Sequence, residues 1–158
     1  MRAAFAVLAL VLTSCAQVPP PSHVGFRDVT APIGGTTRFD PARFAGDWYV
    51  VSTFGDVSVR KQTFAFDTAS GMVTGPTGET YRSNGPGVLT PVNPGTGERF
   101  VIMWIDEDFR TAAIGTPSGS DAVILDRKPH AAPDRLAAAK DILSWYGWDL
   151  TKLKEVTP

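Results

Sequence analysis

From Gly46 onward, apolar residues come in short runs broken by Gly, Pro, Asp and Ser. Eight such runs can be marked, at 47–54, 62–67, 72–74, 80–82, 87–91, 98–106, 109–116 and 121–127. They are rich in β-branched and aromatic residues, and each is too short for a stable helix, so they predict strands. Regular short strands with turn signals between them predict an antiparallel barrel or sandwich. At Pro133 the period changes. Leu136, Ala139, Leu143 and Tyr146 recur every three or four residues, with Pro133 and Asp134 at the start and Gly147 at the end. That pattern predicts one amphipathic helix with a glycine stop. The closing stretch "WDLTKLKEV" reads as a short edge strand.

Two runs break the alternation expected of a strand with water on one side. "FVIMWI" and "AVILD" are apolar on both faces, so both faces must be covered. The helix at 136–146 is the segment available to cover the outer one. For the inner face, alternate parity selects Val50, Phe64, Phe66, Phe100, Ile102, Trp104, Val123 and Leu125 as candidate lining. The parity of the strand at 98–106 decides how much space is left. With Trp104 inward much of the interior is filled; with Trp104 outward, Met103 and Ile105 line it instead. The inward placement of Phe100, Ile102 and Trp104 is the reading taken.

The first residues have a different character. Met1-Arg2 precedes the apolar stretch "AAFAVLALVL", which is too short to span a bilayer and fits an export signal. It ends in "LTSC", which resembles the lipobox of bacterial lipoproteins, whose cysteine is lipid-modified and becomes the mature N-terminus. Cys15 is the single cysteine of the chain, which suits lipidation better than disulfide chemistry. Residues 1–14 are therefore read as a signal peptide and 15–38, with Pro19, Pro20 and Pro21, as a flexible lipid-anchored linker. Residues 39–158 form one domain. The expected location is the outer membrane, facing the periplasm.

Composition mainly excludes. A formal net charge of −1 without a basic run gives no footprint for nucleic acid. There is no Gly-x-Ser-x-Gly, and the two histidines, His23 and His130, lie off the strands, so no enzyme and no cofactor are expected. Asp106, Glu107 and Asp108 read as a solvated hairpin tip, and no metal is expected.

Three blocks in order carry a family resemblance: "FAGDWYVV", with Gly-x-Trp entering the first strand; "FVIMWIDEDFRTAAIGTPSG"; and "AVILDRKP" followed by the helix. Together they resemble the lipocalin family, in particular its bacterial outer-membrane lipoprotein branch, which also includes apolipoprotein D. The resemblance implies an all-β fold: an eight-stranded antiparallel up-and-down barrel with one C-terminal helix on its outer wall. It implies that Trp48 closes one end beneath Arg127, with Gly46 allowing the bend, all three structural. It further implies binding, storage or transport of a small hydrophobic ligand such as a fatty acid or lysophospholipid. Two departures stand out: Phe109 where relatives commonly carry Tyr, and only residues 55–61 between the first two strands, too few for a long lid. The alternative is an envelope lipoprotein whose barrel is filled and binds nothing.

Overall fold

The computed structural model describes residues 23–56 and 59–156. The signal peptide and Cys15 lie outside the described residues. In chain order the elements are β1 (His23–Val24), β2 (Arg27–Asp28), α1 (Pro41–Phe44), β3 (Gly46–Thr53), β4 (Lys61–Asp67), β5 (Met72–Thr74), β6 (Thr80–Ser83), β7 (Val88–Pro91), β8 (Phe100–Ile105), β9 (Thr111–Gly115), β10 (Ala122–Asp126), α2 (Pro133–Trp145) and β11 (Lys154–Glu155).

Strands β3 to β10 pair with their neighbours in sequence, all antiparallel, and β10 pairs back onto β3. The result is a closed eight-stranded up-and-down barrel. Closure removes the exposed edges that an open sheet would present. One edge of β3 is shared. Gly46–Tyr49 pair with β4, whereas Ser52 and Thr53 pair with β11, which takes the place β4 has left.

The side chains sort into two layers. Inside lie Phe44, Trp48, Val50, Phe64, Val73, Tyr81, Leu89, Ile102, Ile105, Phe109, Ala112, Ile114 and Leu125. Outside, Val51, Phe54, Val101, Met103, Ala113, Ala122 and Ile124 pack with Ala139, Leu143 and Trp148. Helix α2 is the cover that the two-faced strands required. It has no side-chain N-cap but starts on Pro133 with Asp134 in its first turn. It stops at Gly147, whose φ of 87° suits a glycine. Arg135 ties its first turn to the wall, donating to Thr111 Oγ1 (2.7 Å) and to the fully buried Asp126 carboxylate (3.2 Å).

Trp104 is a correction to the sequence reading. It lies in the outer layer beside the helix residues, not in the barrel. In the β8–β9 register Ile102 faces Ile114, but Trp104 faces Ala113, which leaves Met103 as an extra residue. This β-bulge switches parity within the strand. Phe100 and Ile102 point in, Met103 and Trp104 point out, and Ile105 points in again.

The linker reading also needs revision over residues 25–38, which dock on the barrel. Arg27 is buried and donates to the carbonyls of Tyr146 (2.8 Å), Pro117 (3.0 Å) and Ala31. Phe26 N–H donates to Gly119 O (2.9 Å) and Thr36 N–H to Ile102 O (2.8 Å). Proline and glycine content signals the lack of a period; it does not weigh one arginine that satisfies three carbonyls. The final segment is only partly strand. Leu150–Lys152 form a 3₁₀ turn before the two residues of β11.

Candidate functional site

The two ends of the barrel differ. At the base, Asp40 caps α1 by accepting from Ala42 N–H (2.9 Å) and Arg43 N–H (3.2 Å), with Pro41 in the first turn. This short helix presents Phe44 to Trp48, stacked at 4.9 Å, and edge-on to Phe64 at 5.0 Å. The Trp48 indole N–H donates to Phe44 O (2.8 Å). Arg127 lies over the indole, its guanidinium carbon 3.8 Å from the ring centre. It donates to the carbonyls of Arg43, Phe44, Ala45, Asp47 and Phe109 at 2.8–3.2 Å. Gly46 has a φ of 104°, and a Cβ there would stand 3.2 Å from Arg127 Nη1. Both the backbone and the space under the guanidinium therefore favour glycine.

The acidic turn between β8 and β9 belongs to this floor. Asp106 is buried and accepts from Arg110 N–H, Arg110 Nε (2.8 Å) and Thr111 N–H (2.7 Å). Burial alone would raise its pKa, but the bonds from Thr111 and Arg110 together hold it below the usual carboxylate range. Phe109, at a φ of 58°, is held there by the Arg43 guanidinium 4.0 Å over its ring and by Arg127 Nε on its carbonyl. Asp106 thus shapes the turn. Among the described residues no three metal-ligating side chains converge.

At the opposite end the barrel is not filled. A cavity of ≈ 200 Å³ is lined by Gln62, Phe64, Pro76, Thr77, Leu89, Phe100, Ile114, Asp121 and Val123. A mouth of ≈ 210 Å³ continues it, sharing Gln62, Pro76, Thr77, Asp121 and Val123 and adding Asp56 and Val59. Of the sequence-derived lining, Phe64, Phe100 and Val123 reach the cavity. Val50, Ile102 and Leu125, with the half-buried Phe66, belong to the packed interior and do not border it.

Gln62, Thr77 and Asp121 were missed by a search for apolar inward positions. Gln62 is inward by register, opposite Trp48, and its parity with Phe64 and Phe66 was a signal in the sequence. Thr77 and Asp121 sit on turns, where periodicity says nothing. Burial raises the Asp121 pKa, partly opposed by the Ala122 N–H. Pro76 and Val123 line the cavity and the mouth together with Asp121, while the residue's outer surface remains exposed.

A closed eight-stranded barrel stoppered at one end, open at the other and carrying one helix outside is the lipocalin fold, a fold generally used to hold one small hydrophobic ligand. A family model described as a lipocalin-like domain matches residues 87–158, from just before β7 onward. Among solved structures, the cockroach major allergen Per a 4 is similar at 13% identity, with a TM-score of 0.58 over 80% of this chain and 94% of that one. Lobster apocrustacyanin A1 is similar at 15% identity, with a TM-score of 0.53 over 73% of this chain and 77% of that one. Apocrustacyanin C1 is similar at 14% identity, with a TM-score of 0.54 over 75% and 79%. No curated protein sequence matches the chain.

Proposed function

We propose that this chain is a lipid-anchored envelope protein that binds and carries a small apolar or amphipathic molecule, of the kind released by membrane turnover. The carrying observation is the cavity between the packed floor and the rim. Its deep lining is Phe64, Leu89, Phe100, Ile114 and Val123, with polar groups gathered toward the mouth. Such an apolar pocket with few polar groups is the usual form of a small-molecule site. The cavity disfavours the filled, non-binding barrel. A cavity of 150 Å³ holds benzene, so ≈ 200 Å³ accommodates about eight heavy atoms at the same ratio. Of a fatty acid or lysophospholipid, the barrel as it stands takes one end of the chain, or else a shorter molecule whole.

The anchor reading rests on "LTSC" and fits the route of the chain. The docked N-terminal segment starts beside the β9–β10 turn, at the open end, where Phe26 meets Gly119. The eight Cα-to-Cα steps from Cys15 to His23 span at most roughly 29 Å. A lipid at Cys15 would hold the mouth within that reach of the bilayer, suited to exchange with it.

Two measurements test the reading. Isothermal titration with single-chain amphiphiles should show saturable one-to-one binding that weakens on Phe100→Trp, which fills the cavity. Cells fed a clickable fatty acid should label the wild type but not Cys15→Ser, in the membrane fraction. Absence of saturable binding for every amphiphile removes the carrier function; an unlabelled wild type removes the anchor.

A further inference from the structure

Resting on the carrier reading, we infer that the site selects its ligand by headgroup charge: it takes short amphiphiles whose polar end is neutral or cationic and donates hydrogen bonds, and it discriminates against carboxylates.

The cavity offers a headgroup few polar partners. Its polar members are Gln62, Thr77 and Asp121, all shared between the deep cavity and the mouth. Among the described residues, no lysine or arginine lines either space. The Thr77 hydroxyl donates its proton to Glu79, so toward the cavity it is left as an acceptor. Asp121 accepts when ionised, and among the described residues no ion pair compensates it. Asp56 also lines the mouth, and its exposed carboxylate pairs at 3.3 Å with Lys154, which lies outside the lining, so its charge is offset. Gln62 alone supplies donors. The rim therefore presents acceptors and a net negative charge, at the level where the head of a ligand with its tail against Phe64, Phe100 and Ile114 must sit.

The energetics have a definite sign. A ligand carboxylate would meet the Asp121 carboxylate across a space walled by Pro76, Val59 and Val123, where screening is weaker than in bulk water. Either the two repel, or one must take up a proton. Burial already shifts Asp121 toward holding its proton, and a second anion would push it further. An ammonium or hydroxyl head faces no such cost. It donates to Asp121 and to the Gln62 carbonyl oxygen, and a charged donor makes the stronger bond.

The test compares octylamine, 1-octanol and octanoate by isothermal titration calorimetry at pH 8, where the first is cationic and the last anionic. Eight carbons match the cavity and keep each probe below micelle formation. Octylamine and octanol should bind about tenfold or more tightly than octanoate. Asp121→Asn should tighten octanoate and weaken octylamine, closing most of that gap, with octanol little changed. Gln62→Glu, which adds a second anion without touching the rim backbone, should move the two charged probes the opposite way, tightening octylamine and weakening octanoate. Binding of all three within about threefold in the wild type, unmoved by either substitution, overturns charge selection while leaving the carrier function standing. Failure of all three to bind removes the carrier reading and this inference with it.

Discussion

Replacing Arg127 by lysine keeps the charge and removes the planar fork, so it isolates what the guanidinium does at the floor. The side chain donates to five carbonyls, from Nε to Phe109, Nη1 to Asp47, and Nη2 to Arg43, Phe44 and Ala45. One ammonium has three donors radiating from a single atom. It can serve the Arg43–Ala45 cluster, but it then leaves Asp47 and Phe109 unserved and no longer stacks on Trp48. Two charge-assisted bonds at about 1.5 kcal/mol each, the lower end because this site is only part-buried, give about 3 kcal/mol. Lost stacking adds about 0.5–1 kcal/mol. The sum, about 3.5–4 kcal/mol, corresponds to a fall in Tm of roughly 14–16 °C at about 4 °C per kcal/mol for a domain of this size. Urea unfolding, followed by indole fluorescence and far-ultraviolet circular dichroism, measures it as a lower midpoint at unchanged slope. Arg127→Met keeps the stem and removes every donor, so it should cost more, about 4–5 kcal/mol. A lysine variant within about 0.5 kcal/mol of wild type would refute the claim that planar multidentate donation stoppers the barrel.

Other substitutions separate the two layers and the turn. Trp104→Leu should lower stability by about 1–3 kcal/mol through lost packing beneath α2, yet leave octanol affinity unchanged by calorimetry, because the ring is outside the barrel. Phe100→Ala, by contrast, should enlarge the cavity and shift the preferred alcohol to a longer chain. Gly115→Ala would place a Cβ 2.6 Å from the Trp148 ring and 3.0 Å from Ala122 Cβ, an overpacking that should cost about 1–3 kcal/mol in urea unfolding. Asp106 has a folded pKa below its unfolded value, so its contribution is present above about pH 4 and is lost as pH falls through the folded value. Asp106→Asn should be less stable at neutral pH and show a flatter loss of stability on acidification, read as urea midpoints between pH 7 and 3.

Much of the architecture is written in local patterns, and the exceptions have identifiable causes. All eight barrel strands lie where short apolar runs meet turn residues, and α2 lies where the period lengthens, because those signals are set by neighbours in sequence. The two-faced strands β8 and β10 revealed the outer helix for the same reason. What local pattern does not carry is register. Trp104 was read by alternation from Phe100 and Ile102, and a single extra residue at Met103 turned it out of the barrel. Nothing in "FVIMWI" marks that bulge, because every residue in it is apolar and either parity buries it. A matching shift occurs between β10 and β3, where Ile124 faces Ser52 and Leu125 faces Val50, leaving Val51 extra. Arg27 was equally hidden: its three carbonyl acceptors come from residues 31, 117 and 146, which only the fold brings together.

Those two bulges bear directly on function. Without the shift at Met103, Trp104 would enter the barrel and take up cavity volume, and Ile105 would leave the floor. With it, the strand delivers Phe100 to the cavity, Ile102 and Ile105 to the packed lower interior, and both Met103 and Trp104 to the helix. The inner cross-section then tapers by composition. Phe44, Trp48, Phe64 and Phe109 crowd the base, whereas Leu89, Ile114 and Val123 are the aliphatic neighbours of Phe100 in the cavity. The volume that remains is therefore placed at the open end, next to Gln62 and Asp121, and not spread through the core. A barrel of this strand number has room for either side chains or one small ligand. Here it has side chains at one end and space at the other, and the boundary is set by where β8 changes parity. Deleting Met103 removes the extra residue and restores plain alternation in β8 with Trp104 still outside and Ile105 still inside, so the deletion variant, if its circular dichroism remains that of a barrel, should keep octanol binding. Loss of binding in a folded deletion variant would show that the parity of β8 does not set the cavity.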